Sequence, residues 1–193
     1  MGRPKAFDRT NVLEKAMQVF WRQGYEATSL QDLVEAMGIN RFSIYAEFGD
    51  KRGLFLSALD YYDADRVTST LGSLDREDAS LADIRAFFER LAHAATTPYA
   101  SQGCLVCNTM AECTTTDMDI ATRSKHYVTR LRSVFRRALR HAQQRGELPA
   151  TASLDTLADY LTGAVIGLFG YMKSPAPPQA VQGYAQTVLQ ALT

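Results

Sequence analysis

Cysteine is scarce and poorly placed for cross-linking: Cys104, Cys107 and Cys113 are the only three in 193 residues, an odd number crowded into one segment. That is a weak disulfide framework, and a reducing, cytoplasmic setting is expected. No apolar run approaches the roughly 20 residues needed to cross a bilayer, so no membrane partner is expected. The opening MGRPKAFDRTN carries basic groups but lacks the apolar stretch of a secretory signal. A surplus of either charge is missing as well, with 21 basic residues against 21 acidic ones. Residues 1–60 are themselves balanced, eight against eight, so bulk attraction to nucleic acid is no argument here. Any case for DNA must rest on where single charges sit. Strand-like alternation, internal repeats and low-complexity tracts are also lacking, which leaves little room for a sheet. The chain has no glycine-rich phosphate loop, no nucleophile elbow and no His/carboxylate group at metal spacing. Neither an enzyme nor a cofactor or metal site is expected.

What is present is helical spacing from end to end. At 46% hydrophobic the chain can bury a real core. Leu13, Ala16, Met17 and Phe20 mark a first amphipathic helix, stopped by Gly24. Leu30, Leu33, Val34 and Met37 mark a short second one, with Thr28 or Ser29 placed to cap it and Gly38 to end it. Asn40 caps a third, from Arg41 to Glu47, and a fourth runs from Lys51 to about Ser69. Gly72 to Ser80 reads as a connection, followed by a helix to Ala95 and a loop to Gln102. Helices over Cys104–Glu112, Asp117–Arg145, Leu154–Met172 and Gln179–Leu192 complete the chain, the last two separated by Ser174-Pro175-Ala176-Pro177-Pro178. The expectation is an all-α fold of about nine helices.

Two short helices joined by a glycine turn and packed on a longer one form the smallest unit that presents a helix to the major groove. Ser29 to Phe48 has that shape. Positions i, i+1, i+4 and i+5 share a helical face, so Arg41, Phe42, Tyr45 and Ala46 point outward while Ile44 anchors inward. An outward Arg with two aromatics suits phosphates, base edges and thymine methyls better than water. Lys51, at a helix start, adds a cation and free backbone N–H groups aimed at phosphate. On spacing alone, an ordinary helical hairpin in a protein-interaction module explains the same pattern.

The run TSLQDLVEAMGINRFSIYAEFGDKRGLF, Thr28 to Phe55, closely resembles the signature of the TetR family of repressors. The resemblance lies in the Thr-Ser opening, the Gly-Ile-Asn turn, the Ile-Tyr-x-x-Phe of the third helix and the Lys-x-x-Leu-Phe that starts the fourth. It implies a helix-turn-helix domain over 1–50 and an effector-binding and dimerisation domain over 51–193, with 51–69 as the linking helix. It also implies a homodimer on palindromic operator DNA, released by a small-molecule effector. Carried over by position, the DNA-facing residues are Thr28, Arg41, Phe42, Ser43, Tyr45 and Lys51. Thr28, Tyr45 and Lys51 fall to phosphates, Arg41 and Phe42 to base edges. Phe42 stands where small residues are usual, and Glu47 puts an acid near phosphates. Arg3 and Lys5 are either a DNA-contacting arm or a solvated tail.

Beyond position 70 the resemblance implies architecture and not ligand. Leu157, Leu161, Val165, Leu168 and Met172 lie along one side with Gly163, Gly167 and Gly170 interleaved, and either a close dimer interface or pocket space would use them. From Arg123 to Arg145 eight basic residues occur without an acid. They read as a solvated outer face or as a second surface for anions. In GCLVCNTMAEC, Cys104 and Cys107 share a helical face. They either pack or form a sensor, with Cys104 near a helix N-terminus that lowers its pKa. The expected effector cavity draws on Cys104, Cys107, Met110, Tyr127 and Phe169, and the fourth helix is read as the only direct link from there to the DNA-binding part.

Overall fold

The computed structural model describes residues 7–112 and 117–192. Arg3, Lys5 and Cys113 lie outside them. Among the described residues every regular element is a helix.

Each start and stop has a local cause. Helix α1, Arg9–Gln23, begins where Asp8 accepts the Thr10 N–H and ends at Gly24, whose φ of +83° suits glycine. Helix α2, Leu30–Met37, opens on a reciprocal cap: Ser29 accepts from the Asp32 N–H and the Asp32 carboxylate accepts from the Ser29 N–H. It closes on Gly38 in the left-handed region. Asn40 caps α3, Arg41–Phe48, through the Ser43 N–H, and Asp50 caps α4, Lys51–Tyr62, through the Gly53 N–H. Gly53 is required by packing: a Cβ there would stand 2.0 Å from the Phe48 carbonyl oxygen. The end of α3 therefore rests directly on the start of α4.

The fourth helix ends about where expected but is not uniform. A π-helical turn, Asp63–Val67, continues α4 into a last α-turn, α5, Thr68–Leu71, so the three run as one rod. Thr68 returns a hydrogen bond to the Asp63 carbonyl, 3.2 Å away, in keeping with the wider turn. Such turns are invisible to a 3.6-residue pattern and recur at functional sites. The expected connection contains a 3₁₀ turn, Gly72–Asp75, pinned by buried Leu74. Helices α6, Leu81–Ala94, α7, Leu105–Glu112, α8, Met118–Gln144, α9, Leu154–Lys173, and α10, Pro178–Gln190, follow. Counting the α4–α5 rod once, nine helices stand among the described residues.

A single core runs from α1 to α10. At its N-terminal end Phe20 meets Phe55 edge-to-face at 4.9 Å, above fully buried Met17, Leu33 and Ile44. At the other end Phe87, Phe88 and Phe135 pack within 6.0 Å of one another. Burying each such ring contributes about 2–3 kcal/mol.

Most arginines of α8 are tied into ion pairs, so they form neither a bare solvated face nor an open surface for anions. Arg123 pairs with Asp60, Arg130 with Asp63 and Asp75, Arg132 with Asp155 and Asp159, and Arg136 with Asp155. The acids that meet them stand on neighbouring elements: Asp60 on α4, Asp63 in the π turn, Asp75 in the 3₁₀ turn, and Asp155 and Asp159 on α9.

Candidate DNA-contact face and effector cleft

On α3 the inward and outward faces separate cleanly. Ile44 and Phe48 are buried, whereas Phe42 is 79% exposed and Tyr45 49%. Arg41 is exposed beside them and Ser43 half-buried, so Arg41, Phe42 and Tyr45 share one solvent-facing surface. Large aromatics held in water carry a cost that fold stability does not explain. Glu47 is matched: its carboxylate lies 2.8 Å from Arg9 Nε, and Arg9 also sits over the Phe48 ring at 5.6 Å. The acid that looked out of place beside phosphates is thereby largely neutralised.

One expected contact needs correction. Thr28 is 1% exposed and its hydroxyl donates to the Gly24 carbonyl at 2.6 Å, so the side chain fixes the α1–α2 turn and is withdrawn from any phosphate. Ser29, and not Thr28, caps α2. At the start of α4 the Gly53 N–H is already taken by Asp50, 2.7 Å away, so the helix end is less free for an anion than expected. Lys51 is half-exposed, its Nζ 4.5 Å above the Tyr25 ring and 3.3 Å from the Glu26 carbonyl, which fixes its direction.

The far half holds a small cavity of about 20 Å³, room for one water, lined by Tyr62, Phe87, Cys104, Tyr127, Leu131 and Phe169 among others. Cys104, Tyr127 and Phe169 thus meet at one place, whereas Cys107 and Met110 are not on that wall. The Cys104 and Cys107 sulfurs lie 3.7 and 3.9 Å from the Tyr127 hydroxyl. Burial alone pushes the Cys104 thiol up. Hydrogen bonding of its sulfur with the Cys107 thiol and backbone N–H and with the Tyr62 and Tyr127 hydroxyls brings it down. Cys107 is raised because its proton is held in the bond to Cys104, and burial adds to this. Burial beside the two sulfurs likewise raises Tyr62 and Tyr127.

Outside this cavity lies an open cleft of about 320 Å³ sharing Tyr62, Thr70 and Phe169 with it. Trp21, Leu91, Tyr99 and Met172 extend its apolar floor, and Arg66 and Arg90 stand at its rim. Tyr62 belongs to α4 and stacks edge-on against Trp21 of α1 at 5.1 Å.

The linking rod is not the only direct connection between this region and the helix-turn-helix. Glu112, at the end of α7, accepts the N–H groups of Tyr25 at 3.2 Å and Glu26 at 2.9 Å in the α1–α2 turn. Trp21 Nε1 donates to the Gln102 carbonyl at 3.0 Å. Arg52, at the start of α4, forks onto Asp117 with two 2.8 Å bonds and also reaches Asp119. That fork holds the Asp117 carboxyl at about 2. Sequence reasoning passed over Trp21, Gly53, Tyr62, Arg90 and Glu112. A glycine in the first turn of a helix and the chain's lone tryptophan were the only signals available for two of them.

Leu161, Val165, Leu168 and Met172 are buried within the protomer, so they form no outer face. Gly163, Gly167 and Gly170 lie on the opposite, exposed side of α9 with Tyr160 and Tyr171, next to Tyr184 of α10. A Cβ at Gly163 or Gly170 would meet nothing, while one at Gly167 would stand 3.1 Å from the Tyr184 hydroxyl. The glycines leave an open outer surface and contribute no space to the cavity.

Comparison with known proteins gives the same picture. The family model described as bacterial regulatory proteins, tetR family, matches residues 12–58, and that described as tetracyclin repressor-like, C-terminal domain, matches 80–188. The chain is 34% identical to the HTH-type transcriptional repressor ComR of Escherichia coli K12, over 98% of this chain and 90% of that protein. It is 32% identical to the uncharacterized HTH-type regulator YezE of Bacillus subtilis 168, across the whole of both. A cysteine variant of the regulator CifR, solved on a 26-bp operator duplex, superposes with a TM-score of 0.86 at 29% identity, covering 98% of this chain and 99% of that one.

Proposed function

The chain belongs to the TetR family of bacterial regulatory proteins, and from that premise we propose that it is a transcriptional repressor acting as a homodimer on a palindromic operator. Residues 1–50 are the DNA-binding unit and 51–193 the effector-binding and dimerisation unit, joined by the α4–α5 rod. A protein that reads chromosomal operators works in the cytoplasm. The observation that carries the reading is the outward face of α3, where Arg41, Phe42 and Tyr45 stand together with no partner in the core. Arg41 and Phe42 are assigned to base edges, and Tyr45, Ser43 and Lys51 to the flanking backbone. The α9–α10 surface around Gly163, Gly167 and Tyr184 is assigned to the partner protomer, since exposed aromatics beside open glycines suit close two-fold packing.

Release requires that an event in the C-terminal half alter the distance between two recognition helices, which must match grooves about 34–36 Å apart. Three contacts transmit it: Tyr62 against Trp21, Glu112 against the α1–α2 turn, and Arg52 against Asp117. A 100-fold loss of operator affinity needs about 2.7 kcal/mol of differential binding between the two states. The first trigger is a reversible small-molecule effector seated in the open cleft of about 320 Å³ beside the Cys104 cavity. A second is supported by the donors gathered on Cys104: its thiolate adds to the β-carbon of an unsaturated carbonyl compound, forming a C–S bond while the α-carbon takes the proton. That route must open a wall at which Cys104 is only 1% exposed. A gel-shift on DNA upstream of the chain's own gene tests the whole reading. A specific, competitor-resistant complex is expected, and its absence, with Arg41→Ala indistinguishable from wild type, would overturn it.

A further inference from the structure

The cleft's charge and shape specify more than a generic apolar ligand. Its floor is aromatic and aliphatic, from Trp21, Tyr62, Leu91 and Phe169, while its lining contains two arginines and no carboxylate. The two cations differ. Arg66 is engaged, 3.1 Å from Asp65 and 3.5 Å from Glu14. Arg90 forms no ion pair among the described residues. One of its terminal nitrogens makes only two long contacts of 3.4 Å, to the carbonyls of Thr70 and Leu71 in the last turn of the rod. Its side chain is exposed, and the remaining N–H groups of a rigid planar donor face are available. Arginine presents two parallel donors at the spacing of a carboxylate's oxygens.

Resting on the reading of this region as the effector site, we propose that the effector is a small organic carboxylate with an aromatic or aliphatic body, its head on Arg90 and its body against Trp21, Tyr62 and Phe169. A cation is excluded by the sign of the rim. A neutral apolar molecule would leave the rim arginine unused. A free phosphate or sulfate would leave the apolar floor exposed to water. The site also explains how binding is felt. A carboxylate on Arg90 competes with the Thr70 and Leu71 carbonyls for the guanidinium, loosening its hold on the end of the rod, beyond the π turn at Asp63–Val67. Its body meanwhile presses on the Tyr62–Trp21 contact between α4 and α1.

Trp21, the only tryptophan, lies in the cleft and reports occupancy by its own fluorescence. Full-length protein is titrated with ω-phenylalkanoates of two to six carbons and alkanoates of six to twelve, each against its neutral primary amide. At least one acid is expected to bind about ten-fold or more tightly than its amide, and Arg90→Gln should abolish that preference while the protein still unfolds in a cooperative thermal transition. Ala94→Phe, which fills the cleft without altering charge, should weaken acid and amide alike. The same acid should release DNA in the gel-shift. If no acid in the series is preferred over its amide, or if Arg90→Gln keeps the preference, the proposal is wrong. Preferred binding without any effect on an established protein–DNA complex overturns the effector role. Failure to bind DNA at all would strike the regulator reading alone, because the fluorescence titration does not depend on it.

Discussion

Truncating Phe42 to alanine separates recognition from folding more sharply than any other change on α3. Because the residue is 79% exposed, only about a fifth of the ring is covered by protein. With a Phe side chain of about 200 Å², that is roughly 40 Å² of apolar surface, or about 1 kcal/mol of burial. Alanine's better helix propensity returns about half of that, so stability should change by about 0.5 kcal/mol or less. Two residues along, Ile44 is fully buried, and Ile44→Ala should cost about 2–5 kcal/mol of stability. On DNA the order reverses. A lost base contact costs about 1–3 kcal/mol, and a dimer loses it twice, so Phe42→Ala should weaken operator binding by about 2–6 kcal/mol. Fluorescence anisotropy on the upstream duplex at fixed salt, beside thermal unfolding of both variants, provides the measurement. Phe42→Ala that binds like wild type would refute the assignment of this face. So would a loss of stability matching that of Ile44→Ala, since the ring would then be packing and not reading.

Glu47→Gln removes a negative charge and frees Arg9 from its 2.8 Å partner, so operator affinity should rise and its salt dependence steepen, read from binding at several salt concentrations. Gly163→Glu should yield folded monomers in sedimentation, because nothing lies within 4 Å of the added Cβ, whereas Val188→Asp should unfold the protomer, being 2% exposed. Glu112→Ala should retain DNA binding but need more effector for release in the gel-shift, since it frees the Tyr25 and Glu26 N–H groups from α7. The Asp117 carboxyl is depressed by Arg52, so the stability it contributes is present above its ordinary unfolded pKa and is lost as pH falls through about 2. Arg52→Gln should therefore leave the pH dependence of unfolding between pH 5 and 8 unchanged and alter it only in acid.

Local signals in the chain were enough for the helices and their ends. Ser29 and Asn40 cap the helices they were expected to cap, Asp8 and Asp50 do the same for α1 and α4, and Gly24 and Gly38 stop helices because only glycine takes those backbone angles cheaply. The outward set on α3 was legible because a helix has a fixed period and one side must face the core. Partners far apart in sequence were not legible. Nothing local says that Thr28 turns inward to Gly24, that Glu47 meets Arg9, or that the arginines of α8 find the aspartates of α4, α9 and the turn between α5 and α6. Periodicity also misjudged α9, where leucines and glycines occupy opposite faces. An apolar stripe tells which side is buried, but not whether the same protomer or another buries it. Glu112 on the α1–α2 turn, Tyr62 between Trp21 and Cys104, and Arg90 at the cleft rim were decided only when the helices packed, because ion pairs, cavities and levers depend on distances between elements that no local pattern encodes.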